Sequence, residues 1–389
     1  MARLVLHWVE TADRWRLALY ERAVPIATSK PPVLCVHGFA QNHRTWQSGG
    51  WDRTLAEAGH PTYLLDLRGH GSSKQRLHST QQPPIHAAQS TQQPPTHAAQ
   101  KSPTHSSQEP LERASLEPPR HTSQEPPAHT GLWRIDDYLA QDLPAAVRWL
   151  RERHGGAKLI LCGHSLGGVL SGLYAAEHPE DVAVLAMLAA PLSPGRTSRR
   201  VRLACQSVQT LARWAERRDW RWSWLPLHLF FWGMDQLSFG ALPILGVGLP
   251  WLAKRDKAQI VSRLWHPQMT QPEAVRSLLR HADPEPMTVV LQMTQWMLTD
   301  QVLLGDPPQD QRPRIHGLNV PLLCAWGDED RLAPPETQAA FVQTLSGPWQ
   351  RTLALKKTNH MDITAGQPAQ KVIEALLDLW NDWSATTAA

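Results

Sequence analysis

Five short apolar runs, almost free of polar residues, constrain this chain most. They are "PPVLCVHG" (Pro31 to Gly38), "PTYLLDLRG" (Pro61 to Gly69), "LILCGHS" (Leu159 to Ser165), "VAVLAMLAAP" (Val182 to Pro191) and "PLLCAWG" (Pro321 to Gly327). A strand without polar alternation must be covered on both faces, so such runs suit a parallel sheet sandwiched between helices. The helix-like "WDRTLAEAGH" (Trp51 to His60) lies between the first two runs and completes one βαβ unit. "WRLALYERAVP" (Trp15 to Pro25) alternates enough to be a further strand, and "RTLAL" (Arg351 to Leu355) another. Helical spacing marks Trp133 to Gly155 and the amphipathic C-terminal stretch Pro368 to Trp383.

Two segments break this alternation. From Leu77 to about Thr130 the chain turns rich in Pro, Gln, Ser, Thr and His. "STQQPPIHAAQ" (Ser79 to Gln89) is followed at once by its near-duplicate "STQQPPTHAAQ" (Ser90 to Gln100). Such composition buries too little apolar surface to offset ordering entropy, and it reads as a disordered insertion. Its histidines follow the repeat, which argues against metal ligation. Residues from about 192 to 315 also lack strand–helix alternation and are rich in Trp, Arg and Pro. The expected organisation is therefore a core in three parts (1–76, 131–191 and 316–389), a low-complexity insertion (77–130) and a helical cap (192–315).

Composition excludes several classes. The sequence pI is near 9.0 but the net charge is only +4, and Lys and Arg are scattered without a nucleic-acid-binding motif. Cys35, Cys162, Cys205 and Cys324 show no CxxC spacing, and three lie inside apolar runs, as small buried hydrophobes do. No metal or organic cofactor is implied. The N-terminus lacks the apolar core of a secretory signal, so the expected location is cytoplasmic.

The chemistry centres on Gly163-His164-Ser165-Leu166-Gly167. The pattern G-x-S-x-G fits a sharp strand-to-helix turn that exposes a serine, and here a strand-like run precedes it and a helix-like run follows. A serine hydroxyl needs a base, and the base needs an orienting acid. "WGDEDRLAP" offers Asp328, Glu329 and Asp330 after one strand, and "NHMD" offers His360 after another. Both positions lie just past carboxyl ends of strands, where open α/β sheets bind ligands. Two N–H donors are needed for an oxyanion. Leu166 supplies one, and the loop "VHGFAQNHRTW" supplies the other, at Phe39.

Taken in order, "HGF", "DLRGHGSS", "GHSLGG", "GDEDRLAP" and "NHMD" resemble the motifs of the α/β-hydrolase superfamily, in its lipase- and esterase-like branch. The resemblance implies an α/β-hydrolase fold: a mostly parallel sheet flanked by helices, with a cap. It implies Ser165 as nucleophile, Asp330 rather than Asp328 as acid, and His360 as base. Asp66, Arg68 and His70 receive a structural role. His37, Trp46 and His164 stand as candidates to line the substrate pocket. The expected reaction is hydrolysis of a carboxylic ester, with a hydrophobic acyl substrate. Thioesterase, acyltransferase or cofactor-free peroxidase chemistry, and non-catalytic lipid binding, are the alternatives.

The cap bears on the substrate. "QLSFGALPILGVGLPWLA" (Gln236 to Ala253) is uncharged and as long as a membrane span, but two prolines and three glycines argue against a crossing helix. Basic clusters at Arg199 to Arg202, Arg217 to Arg221 and Lys254 to Lys257 flank it. Apolar surface with a basic rim suits peripheral contact with the inner face of an anionic membrane.

Overall fold

A computed structural model describes residues 4–24, 28–76, 133–195, 199–216, 264–345, 347 and 349–388. Its strands are β1 (Val5–Glu10), β2 (Trp15–Arg22), β3 (Val33–Val36), β4 (Thr62–Asp66), β5 (Gln75–Arg76), β6 (Leu159–His164), β7 (Val182–Leu188), β8 (Leu303–Leu304), β9 (Gln309–Asp310), β10 (Leu322–Gly327) and β11 (Gln350–Leu355). Among the described residues, one sheet of nine strands runs β1-β2-β4-β3-β6-β7-β10-β11, with the short β5 also on β2. From β4 to β11 every pairing is parallel, whereas β2 is antiparallel to β1, β4 and β5.

The apolar runs are the strands of this parallel part. Every residue of β3, β4, β6, β7 and β10 is buried. Successive side chains alternate between two separate hydrophobic layers, as the pleat demands. Leu34, Val36, Leu159, Leu161, Leu185 and Leu322 face the layer that holds the helices Leu143–Arg153 and Leu166–Glu177. Val33, Cys35, Ile160, Cys162, Val184 and Leu323 face the other, filled by Trp46, Trp51 and Leu55 and by Val372, Ile373 and Leu376 of the helix Pro368–Ala388. All four cysteines are buried thiols. The sheet is less covered at its β1 edge, where Val5, Leu6 and Trp8 remain 48, 40 and 38 % exposed.

The structure adds three details to the sequence reading. The stretch Trp133 to Gly155 is not one regular helix: a π-type turn, Tyr138–Asp142, precedes the helix Leu143–Arg153. Pro144 lies in the first turn of that helix, and it has no N–H to give to the preceding ladder. The wider turn leaves Tyr138 and Asp142 buried. Second, β8 and β9 form a hairpin among the helices of the 192–315 segment. Third, both ends of this segment pack with the core: Leu192 at its start and Val289, Trp296, Val302 and Ile315 on its return belong to the first hydrophobic layer.

The described part of this segment comprises the helices Arg199–Glu216, Pro272–Arg280 and Met287–Thr299, the hairpin, and the short helix Arg312–His316. Gln209 Nε2 ties the first of these to the third, donating to the Leu291 carbonyl (2.7 Å) and to Thr294 Oγ1 (2.8 Å). The apolar stretch Gln236 to Ala253, two of the three basic clusters and the repeat insertion lie outside the described residues. Among the described residues no helix is long and apolar enough to cross a membrane. Both ends that flank the insertion meet at one residue: Arg76 pairs with Trp15 in the sheet, and the Trp133 ring packs edge-on against Trp15 at 5.1 Å.

Candidate active site

β6 delivers Ser165 at the middle of the sheet, directly before the helix Leu166–Glu177. Its backbone has φ 54° and ψ −122°, a conformation that L side chains rarely adopt. Three hydrogen bonds hold it there. The Ser165 N–H donates to the Leu188 carbonyl (2.8 Å), and its own carbonyl accepts from the N–H groups of Gly168 (2.9 Å) and Val169 (3.2 Å). The flanking glycines are sterically required. A Cβ on Gly163 would stand 2.2 Å from the Gly167 carbonyl oxygen, and one on Gly167 would stand 2.3 Å from that of Val36. A Cβ on Gly38 would meet Ser165 Cβ at 2.8 Å, so the loop after β3 lies against the serine.

β10 and β11 end beside each other and bring Asp330 and His360 together. His360 Nδ1 lies 2.8 Å from Asp330 Oδ2, and both side chains are buried. The second oxygen, Asp330 Oδ1, accepts the N–H groups of Leu332 (2.8 Å) and Ala333 (2.9 Å). The carboxylate is thereby fixed from both sides. Asp328 is placed differently: its carboxylate meets the Thr358 N–H at 3.4 Å and Lys356 Nζ at 3.7 Å. His164 joins the turn to His360, because its Nε2–H donates to the His360 carbonyl (3.0 Å) and the two rings lie 4.9 Å apart. Burial, and then the neighbouring His360, holds the His164 pKa well below the ordinary histidine range.

His37 and Trp46, like His164, are fully buried. They belong to the frame of the site rather than to an open surface. The Leu67 N–H donates to His37 Nε2 (3.1 Å), so the ring proton sits on Nδ1 and is given to the Gly38 carbonyl (2.8 Å). Burial and the charge of His70 push the His37 pKa down to about 4. Trp46 packs against Trp51 in the second hydrophobic layer, with ring centroids 5.0 Å apart. Phe39 is half-buried against the first layer.

The "DLRGHG" segment is a knot of buried ion pairs. Asp66 accepts the N–H of His43 (2.8 Å) and of Ser72 (2.9 Å). Arg68 pairs with Asp142 and with Asp13, each at 2.8 Å. His70 Nε2–H donates to Glu285 Oε1 at 3.0 Å, with both side chains 1 % exposed. Burial opposes the His70 charge, but Glu285 outweighs it and raises the pKa to about 9. Burial likewise opposes the Glu285 charge, and His70 with the Ala40 N–H holds that pKa below the usual carboxylate value.

Residues on the return limb of the 192–315 segment complete the frame, and sequence reading did not single them out. The Met361 N–H donates to the Leu264 carbonyl (2.9 Å), and Asp362 accepts the N–H of His266 (2.7 Å) and of Asn359 (2.9 Å). These bonds brace the loop that carries His360. Gln41 also escaped notice. Its Nε2–H donates to Met361 Sδ (3.1 Å), which links the β3 loop to the histidine loop. A grouping of His178, Glu180 and Asp181 lies at the far end of the helix that Ser165 opens, about 18 Å along its axis. Its Asp181 is already held by Arg151 and Tyr174.

Two outcomes follow from this geometry. Gly167→Ala forces its new methyl against the Val36 carbonyl, and urea unfolding is expected to show a loss of about 1–3 kcal/mol. A variant as stable as wild type would mean that the strand–helix approach is not limiting. For His70 the folded pKa, about 9, lies above the ordinary 6.5. Its contribution is therefore full below pH 6.5 while Glu285 stays ionised, and it is lost as pH rises through 9. The stability gap between wild type and His70→Gln is expected to reach at most about 3 kcal/mol at pH 6 and to narrow at pH 9.5.

The family model described as "alpha/beta hydrolase fold" matches residues 31–364. No curated protein matches the sequence. Among solved structures, a thermophilic esterase from Thermogutta terrifontis is similar at 17 % identity, covering 98 % of this chain and 99 % of its own, with a TM-score of 0.56. A putative aryl esterase from Burkholderia cenocepacia is similar at 15 % identity, over 98 % and 100 % of the two chains, with a TM-score of 0.55. A thioesterase domain from the curacin biosynthetic pathway is similar at 16 % identity, over 97 % and 99 %, with a TM-score of 0.51. With the sheet order, the strand-to-helix turn and a family match over most of its length, the chain belongs to the α/β-hydrolase fold family.

Proposed function

We propose that the protein is a serine hydrolase that cleaves a carboxylic ester with a hydrophobic acyl group. The observation that carries this reading is the strained Ser165 backbone, joined through His164 to a buried, doubly anchored His360–Asp330 pair. A non-glycine residue at φ 54° costs about 1–3 kcal/mol, and such strain concentrates at functional sites. Asp330 accepts the Nδ1–H of His360, which leaves Nε2 unprotonated and able to take a proton.

In this reading His360 takes the Ser165 proton as Oγ attacks the ester carbonyl. The N–H groups of Phe39 and Leu166 receive the oxyanion. Leu166 opens a helix, so its N–H belongs to the first turn, which has no intrahelical acceptor. Collapse of the tetrahedral intermediate releases the alcohol, which carries away the proton held by His360. Water, activated by the same histidine, then attacks the acyl-serine and releases the acid. The acyl preference is assigned to the cap, whose helix Arg199–Glu216 begins with a basic cluster and leaves Leu203 56 % exposed.

A fluorophosphonate probe tests the nucleophile: wild type is expected to be labelled and Ser165→Ala not. Equal labelling of the two would sink the reading. Asp330→Asn is expected to lower kcat by about 10⁴-fold through the wrong histidine tautomer. A p-nitrophenyl series from acetate to palmitate then reports the acyl group, and a strong preference for acetate would refute the hydrophobic pocket.

A further inference from the structure

The loop that presents Phe39 takes an unfavourable path. Ala40, the next residue, sits at φ 60°, in the left-handed region that L side chains seldom occupy. Two adjacent peptide planes set the direction of the loop. In the first, which contains the Phe39 N–H, the Gly38 carbonyl accepts from His37 Nδ1 (2.8 Å) and from the Gln41 N–H (3.2 Å). In the second, the Ala40 N–H donates to Glu285 Oε1 at 2.8 Å. The Ala40 carbonyl in turn accepts the Asp283 N–H at 3.1 Å. Asn42 Nδ2 closes the far side, donating to Asp283 Oδ2 and to the His281 carbonyl, each at 2.7 Å.

Glu285 comes from the cap's return limb, yet it is 1 % exposed among core groups. Its Oε1 accepts both the Ala40 N–H and His70 Nε2–H, and its Oε2 accepts the Tyr138 hydroxyl at 3.0 Å. Tyr138 is itself fixed by the Trp133 ring N–H at 2.7 Å. A buried carboxylate with every bond aimed at a fixed partner is a rigid anchor. Here the anchor ends on the peptide that follows Phe39.

We propose that Glu285 is a positioning residue for the oxyanion site: by clasping the Ala40 N–H it holds the Phe39 amide in its catalytic direction. The inference rests on the ester-hydrolase reading for its catalytic consequence, although the clasp itself does not depend on substrate. Glu285 touches no reacting atom, so its effect falls on the transition state more than on substrate binding. His70 serves as the counter-ion that keeps the carboxylate charged. Besides Glu285, the groups around His70 are Asp283 (paired with Lys74 at 2.8 Å), Tyr138 and the neutral His37. When His70 loses its proton, its lone pair faces the carboxylate and the clasp slackens.

The test compares wild type, Glu285→Ala and Glu285→Gln on a soluble short-chain p-nitrophenyl ester, with hydrogen exchange of the 37–45 peptide measured in parallel. Glu285→Ala is expected to lower kcat about 10- to 100-fold with KM within about threefold, and to speed exchange in the loop. Glu285→Gln keeps an oxygen for the Ala40 N–H, and kcat is expected to return to within about fivefold of wild type at pH 7. Wild-type kcat is expected to fall as pH rises through about 9, a limb that Glu285→Gln lacks. A folded Glu285→Ala with kcat within twofold of wild type, or with unchanged loop exchange, overturns the proposal. So does a glutamine variant as slow as the alanine one. If Glu285→Ala does not fold, the alkaline limb decides: its loss in Glu285→Gln supports the clasp, and its persistence overturns it. If wild-type protein turns over no ester and takes no fluorophosphonate, the ester reading falls by itself, and loop exchange alone decides whether Glu285 holds the loop.

Discussion

The rest of this structure depends on a near-collision of backbones. Where β6 gives way to the next helix, Gly163 and Gly167 stand so close to carbonyl oxygens that neither tolerates a Cβ. That closeness drives Ser165 out of ordinary conformational space and lifts it from the sheet. It also presses the helix onto the end of β3, so the loop carrying Phe39 starts in contact with the serine. The two hydrophobic layers supply the force behind the squeeze. Buried on both faces, the central strands cannot retreat, and the strain at one residue is held by the packing of many.

Around that point the chain holds the loops of the candidate site by different means. The Asp330–His360 pair is fixed locally, by backbone amides of the loop that bears the acid. The histidine loop and the β3 loop are instead held from a distance, by the segment that returns from the cap. Leu264 and His266 brace one, and Asp283 and Glu285 brace the other. That limb is therefore part of the frame around Ser165 and His360.

Much of this was legible in the sequence because its signals are local. Uninterrupted apolar runs announce strands covered on both faces, and glycines at fixed offsets announce the turn. The loops after β10 and β11 hold their acid and histidine within a few residues of a strand end. What could not be read depends on contacts distant in sequence or on runs too short to show a period. β1 has a mixed, half-exposed pattern, and β8 and β9 have two residues each. The π-type turn before Leu143 reads as ordinary helix in any periodicity. Glu285 is 245 residues from Ala40, and nothing in "DPEP" marks it as a partner of that loop. His37, Trp46 and His164 stand near the motif in the sequence, but nothing local there shows that all three are fully buried.

Arg76 and Trp133, the described residues on either side of the repeat-bearing stretch, both rest on Trp15. The described core therefore closes on itself across the gap in numbering between them. The number of residues in that gap is not fixed by a distance they must span, whereas the glycines around Ser165 are fixed to within the room of a methyl group.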